Sequence, residues 1–204
     1  MRAIVDVLYN FHWIVPGEAA RSAQAYAGFL RAFLRRHEIR TIVNLRGSNP
    51  RFWWWRYEKR VTERARVAHI DVKVNSRNLP TRELLLKLLE AFDAAERPLL
   101  LKCSGGQDRT SLAAALYLIH RNGWTDMSAA MAHFSGWPYL HWPKRQQRWI
   151  KHFLIFAHEQ AAGRRLRGWI AEGYRPELFK QWLVSRDLAD AFRQTDVNPP
   201  RTTH

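Results

Sequence analysis

Nine consecutive residues constrain this chain more than any other stretch. Lys102-Cys103-Ser104-Gly105-Gly106-Gln107-Asp108-Arg109-Thr110 lies between the apolar run Leu99-Leu100-Leu101 and an almost wholly apolar stretch at 111–120. A short run without polar residues is the mark of a central strand covered on both faces, and an all-round apolar helix must be buried. Strand, glycine-containing loop and buried helix form a phosphate-binding arrangement in α/β proteins. The two glycines let backbone N–H groups turn inward as a nest for a phosphate dianion. The first turn of the helix adds its unpaired N–H groups and positive dipole end. Ser104, Gly105, Gly106 and Gln107 are therefore candidate substrate-binding residues, with Lys102 beside them. Arg109, six residues beyond the cysteine, can return over the loop as a planar two-pronged clamp on phosphate oxygens. The same positive field depresses the Cys103 thiol and prepares a thiolate nucleophile.

The remaining pattern supplies the layers for such a loop. Trp13-Ile14-Val15 reads as a strand ended by Pro16-Gly17, and Ser22 as the N-cap of a helix to residue 37 with apolar spacing Tyr26, Phe29, Leu30, Phe33, Leu34. Residues 41–45 form a β-branched strand, 52–66 a basic, tryptophan-rich helix, and 68–74 a third strand. A loop at 75–80 leads into a helix N-capped by Thr81. A helix at 125–134, an aromatic proline-broken stretch at 136–143 and two or three helices within 144–192 follow. The fold class expected is α/β: a central, largely parallel sheet of about four to five strands flanked by helices, with a helical C-terminal extension. Residues 1–160 are expected to form the catalytic domain, 161–194 a helical extension of that domain, and 195–204 a flexible tail.

Composition narrows the partners. Among 204 residues, 33 Lys and Arg against 18 Asp and Glu give a net charge of +15, which favours anions. A single cysteine excludes an internal disulfide framework and any multi-cysteine metal site, and the nine histidines show no ligand spacing, so neither a metal nor a cofactor is expected. Nucleic acid is not expected, because no helix-turn-helix, zinc-finger or RNA-binding aromatic motif is present. No apolar run reaches the ~18 residues of a membrane span and no cleavable leader is evident, so a cytoplasmic location is expected. Ten tryptophans, several beside Arg or Lys, suit cation–π stacking, an aromatic core or peripheral contact with an anionic membrane. Phe52-Trp53-Trp54-Trp55-Arg56-Tyr57 admits the membrane-interface reading and a core-lining one alike.

Cysteine, five residues, arginine and threonine resemble the signature of the protein tyrosine phosphatase superfamily. Gly17, Arg21-Ser22-Ala23-Gln24 and Thr41-Ile42-Val43-Asn44-Leu45-Arg46-Gly47 are similar to the N-terminal half of bacterial dual-specificity-like members, so the likeness covers residues 11–135 or so. The resemblance implies Cys103 as nucleophile, Arg109 as phosphate clamp and the Thr110 hydroxyl as the group that stabilises the departing thiolate. It departs at Lys102, where the family usually has histidine. Asp108 is unusual too: myotubularin-type lipid phosphatases and a secreted mycobacterial group share an acid there, and the resemblance implies that it protonates the leaving oxygen. Other members use an aspartate about thirty residues upstream, and Asp71 lies 32 residues before Cys103, inside a strand. Asp108 is the preferred acid, with a structural carboxylate as its alternative role.

Arg21 and Arg46 either extend the anion site or serve as ion-pair partners beneath the sheet, and Arg77 in the 75–80 loop either reaches a substrate phosphate or is solvated. The function expected is a metal-independent, cysteine-dependent phosphatase with a cysteinyl-phosphate intermediate. Its substrates are expected among phosphorylated proteins, at tyrosine, serine or threonine, or phosphorylated lipid and inositol headgroups. The non-enzymatic alternative is a phosphate-recognition module on the same fold.

Overall fold

A computed structural model describes residues 4–26 and 28–193, so the expected tail at 195–204 lies outside the described residues. The chain opens with α1 (Ile4–Leu8), β1 (His12–Val15), β2 (Ala19–Ser22), α2 (Phe29–Arg36) and β3 (Thr41–Asn44). It continues through α3 (Trp53–Ala65), β4 (Ala68–Asp71), α4 (Arg82–Ala94), β5 (Leu99–Lys102) and α5 (Asp108–Asn122). After a short 3-10 turn come α6 (Met127–Ala132), α7 (Trp149–Ala161), α8 (Leu166–Glu172) and α9 (Pro176–Val184).

The five strands form one sheet in the order β1-β2-β5-β3-β4, with β1 antiparallel to β2 and the other pairs parallel. β5 is central, and its period-two alternation separates two cores. Leu99, Leu101 and Cys103 join Val43 and Leu45 in a core filled by α4, α5 and the aromatic faces of α7 to α9. Leu100 joins Ile42 and Ala20 in a smaller core closed by Leu30, Phe33 and Leu34 of α2. The same parity sends Lys102 to the side of Leu100, away from Cys103. Ten consecutive residues of α5, from Thr110 to Ile119, are buried, as their composition demands.

Two segments differ from their sequence reading. Ser22 is not a helix cap: it ends β2, and α2 begins at Phe29 behind Gly28, whose left-handed φ of 82° turns the chain. Ala19-Ala20-Arg21 has weak strand propensity, but β2 lies between β1 and β5, and tertiary pairing overrides local preference. The third strand ends at Asp71, although Val72 and Val74 still donate backbone hydrogen bonds to Asn44 and Leu45 at 3.0 and 3.1 Å. The short helix α1 carried no signal in the sequence.

Candidate active site

The glycine loop leaves β5 at the C-terminal end of the parallel strands and enters α5 at Asp108, where the sequence arrangement demands an anion nest. Cys103 is buried at its base. Its sulfur accepts a hydrogen bond from Thr110 Oγ1 at 3.0 Å. Burial pushes the thiol up, yet the Arg109 guanidinium, the Thr110 hydroxyl and the inward-facing amides of Gln107 and Gly106 together hold it below the ordinary value. Arg109 is fixed over the loop by a 2.9 Å hydrogen bond to Ser104 Oγ.

Turning N–H groups inward turns carbonyls outward, and each buried carbonyl then needs a donor. Arg21, fully buried, donates to the carbonyls of Gly106 at 2.8 Å and Gln107 at 3.4 Å and to Ser111 Oγ at 3.0 Å. Asn10 Nδ2 also donates to Gly106 O at 2.8 Å, and the Gln24 amide donates to Ser104 O at 3.1 Å. Arg21 is held in turn by His133, whose Nδ1 accepts at 3.0 Å, and by the Tyr139 ring, 4.6 Å from its guanidinium carbon. Burial brings its pKa down to about 10, which leaves it a cation at neutral pH. Arg21 takes neither of the roles the sequence left open: among the described residues it forms no ion pair, and its contacts make it a buttress for the loop carbonyls. Gly106 sits at φ 63°, and a Cβ there would lie 2.5 Å from Ala23 N, so only glycine fits.

Asp108 occupies the first helical position of α5. The Arg109 charge and the helix N-terminus favour its carboxylate, but partial burial dominates and raises its pKa. Its Oδ1 is buried without a hydrogen bond, 3.6 Å from His141 Nε2, which is equally unpartnered. That separation is too long for a hydrogen bond. Burial lowers the pKa of His141 to about 4, so the imidazole facing Asp108 is neutral.

The other sequence candidates are placed elsewhere. Lys102, read as a loop residue, points through the opposite face: Nζ lies 2.6 Å from Glu58 Oε1 and donates to Gln24 Oε1 at 2.8 Å. Strand parity is the reason. Burial drives its pKa down to about 8. Asp71 accepts from Asn44 Nδ2 at 2.6 Å and from Trp55 Nε1 at 3.1 Å, and so ties β4 to β3 and α3. Arg46 donates to Gln24 Oε1 at 3.2 Å, with its guanidinium carbon 3.3 Å from the centre of the Trp54 ring. Arg77 is exposed, and its backbone amide bonds to Asn75 Oδ1 at 3.0 Å.

Sequence reasoning missed Asn10, Glu58, His133 and His141. Glu58 carried a signal: it falls four residues from both Trp54 and Thr62 on the buried stripe of α3, and an acid on a buried stripe requires a cation. His133 and His141 had none, since their roles arise from how the 136–143 connection folds back over the loop.

Against this geometry, comparison with known proteins is informative. The family model described as "DSP-PTPase phosphatase fused to NAD+ Kinase" matches residues 23–136, which contain the loop, the sheet from β3 onward and α5. The dual specificity protein phosphatase TpbA of Pseudomonas aeruginosa is 30% identical over 100 residues, 48% of this chain, and the match spans 42% of that relative's length. The crystal structure of P. aeruginosa TpbA superposes with a TM-score of 0.61 at 25% identity, over 84% of this chain and 96% of the other. A cysteine-to-serine form of TpbA in complex with pTyr superposes equally well. PTPMT1, at 17% identity and a TM-score of 0.53 over 74% and 98% of the two chains, shares the fold. With more than half its length inside that family model and its cysteine loop set where the fold demands, the chain belongs to the DSP-PTPase family of dual-specificity-type phosphatases.

Proposed function

We propose that the chain hydrolyses phosphate monoesters through a cysteinyl-phosphate intermediate. The observation that carries this is the Cys103 sulfur, buried at the base of the loop and held toward its thiolate by Arg109, Thr110 and two loop amides. The thiolate attacks phosphorus, the P–O bond to the leaving group breaks, and Asp108 gives that oxygen its proton. Water then attacks the phosphocysteine, passing a proton to the Asp108 carboxylate, while Thr110 stabilises the departing thiolate. Arg109 and the amides hold the equatorial oxygens throughout. A carboxyl whose pKa is raised by burial suits the role of acid, since it must still be protonated when the thiol is not.

The substrate class we infer begins with phosphotyrosine, because TpbA, to which this chain is similar, has been seen with pTyr. A second reading, phosphorylated lipid or inositol headgroups, draws on exposed Phe52 and Trp53 at the start of α3, flanked by exposed Arg51 and Arg56. The decisive experiment is turnover of an aryl phosphate by the wild-type chain and by Cys103→Ser. The variant is expected to lose turnover while still binding vanadate or a phosphate ester. Turnover near the wild-type rate would remove the covalent mechanism, and no turnover by the wild type would leave a phosphate-recognition module.

A further inference from the structure

The end of the sheet opposite Cys103 carries a second basic concavity. Arg40, Val67 and Pro98 immediately precede β3, β4 and β5, so they mark the N-terminal edge of the parallel strands, whereas the catalytic loop leaves the C-terminal edge. The four residues of β5 between them span about 13 Å. The concavity measures about 490 Å³ and is lined by Arg31, Arg35, Arg40, Arg64, Arg66 and Arg97, with Glu38 its one acidic lining residue. Among the described residues, Arg31, Arg35, Arg40, Arg64 and Arg66 form no ion pair; Arg97 lies 3.8 Å from Glu18.

Helix dipoles account for only part of this cluster. Arg35 and Arg64 sit in the last turns of α2 and α3, where a cation offsets the partial negative charge of the helix end. Arg31 lies in the first half of α2, Arg40 and Arg97 in connections, and Arg66 is the left-handed residue that ends α3. Arg97 is compensated by Glu18, but bringing Arg31, Arg40 and Arg66 to the same wall adds like-charge repulsion, which an anion in the concavity removes.

We propose that this concavity is a binding site for a small polyanion carrying two or more phosphate groups. Guanidinium forks match phosphate oxygens in a bidentate way; Arg97 is engaged by the carbonyls of Ala95 and Phe92 at 2.8 and 3.3 Å, and the five other lining arginines still exceed what one phosphate can engage. The volume is that of a small-molecule site, and the arginines converge on a single hollow instead of running along a track as a nucleic acid would require. The required chemistry, clustered phosphates, occurs on soluble metabolites and on lipid headgroups alike.

The site is tested with the full chain carrying Arg109→Ala, which disables the loop's own clamp. Inorganic tripolyphosphate titrated calorimetrically into that chain near physiological salt is expected to bind with one-to-one stoichiometry. Adding Arg40→Ala and Arg66→Ala, both exposed positions, is expected to weaken binding at least about tenfold. The same two substitutions in the otherwise wild-type chain are expected to leave aryl phosphate turnover within about twofold, as distant sites act independently. A parallel arm uses vesicles of phosphatidylcholine with and without phosphatidylinositol 4,5-bisphosphate: bisphosphate-dependent binding that the two substitutions abolish assigns a lipid source, and its absence beside tripolyphosphate binding assigns a soluble one. No tripolyphosphate binding, or binding indifferent to Arg40 and Arg66, overturns the proposal without touching the catalytic reading.

Discussion

Two groups within one loop are driven in opposite directions. Cys103 is held below its ordinary pKa although burial opposes this, and Asp108 is raised although its helix position opposes that. The proposed mechanism needs the first deprotonated and the second protonated. The rate with an alkyl phosphate should therefore fall on the acid side as the thiolate is lost and on the alkaline side as Asp108 ionises. Asp108→Asn is expected to remove the alkaline limb and to cost ~10²–10⁴ in rate for an alkyl phosphate, but little for an activated aryl phosphate that departs without a proton. Asp71→Asn should leave both limbs in place, because its carboxylate is engaged with Asn44 and Trp55. If the leaving-group dependence follows Asp71 instead, the acid is misassigned. Cys103, Arg109, Thr110 and the two glycines were legible because their geometry is local to nine residues. Lys102 and Asp71 were not, because strand parity and a tryptophan sixteen residues away determine where they point.

α3 is held to the sheet by a polar contact, not by its tryptophans alone. Glu58 is buried and accepts from Lys102 Nζ, from His69 Nε2 at 2.7 Å and from Gln24 Nε2. These hydrogen bonds outweigh the burial that would raise its pKa, which is lowered. Removing the acid alone strands a buried ammonium. Glu58→Gln is expected to destabilise the fold by about 3–5 kcal/mol in denaturant titrations, whereas Glu58→Gln with Lys102→Met should recover most of that loss. Equal destabilisation by the double substitution would show that the pair is not the determinant. The helix itself was legible over 52–66 from its composition. Its facing was not, since Trp53 is exposed, Trp54 buried beneath Arg46 and Trp55 turned to Asp71, and only the partners distinguish them. β2 was illegible for the converse reason: Ala19-Ala20-Arg21-Ser22 is a strand because of what flanks it.

The whole molecule keeps two imidazoles neutral behind the loop, and this sets its response to acid. Burial lowers His133 to about 3 and His141 to about 4, against an ordinary value near 6.5. Between those values the unfolded chain binds protons that the folded chain refuses, so stability falls as pH drops below about 6.5. Glu58, lowered in the fold, contributes in the same direction at lower pH, and Asp108, raised, opposes it in part. Melting temperature is expected to decline steadily from pH 7 to pH 4, and His133→Asn should flatten that slope. A melting temperature constant across this range would contradict the assignment of neutral histidines.

The braces of the phosphate loop come from far along the chain: Asn10 reaches across 96 residues and Arg21 across 85 to the same carbonyl of Gly106. The nine loop residues hold one another through Thr110 on Cys103 and Arg109 on Ser104, but the carbonyl of Gly106 depends on donors from far away. Excised with their strand and helix, they would lose Arg21 and Asn10 from Gly106 O and the Gln24 amide from Ser104 O, and keep the Ser111 amide on Gln107 O. If the loop binds an anion as proposed, that recognition is a cooperative property of the completed fold, acquired only once Asn10 and Arg21 have reached Gly106 and His133 has secured Arg21.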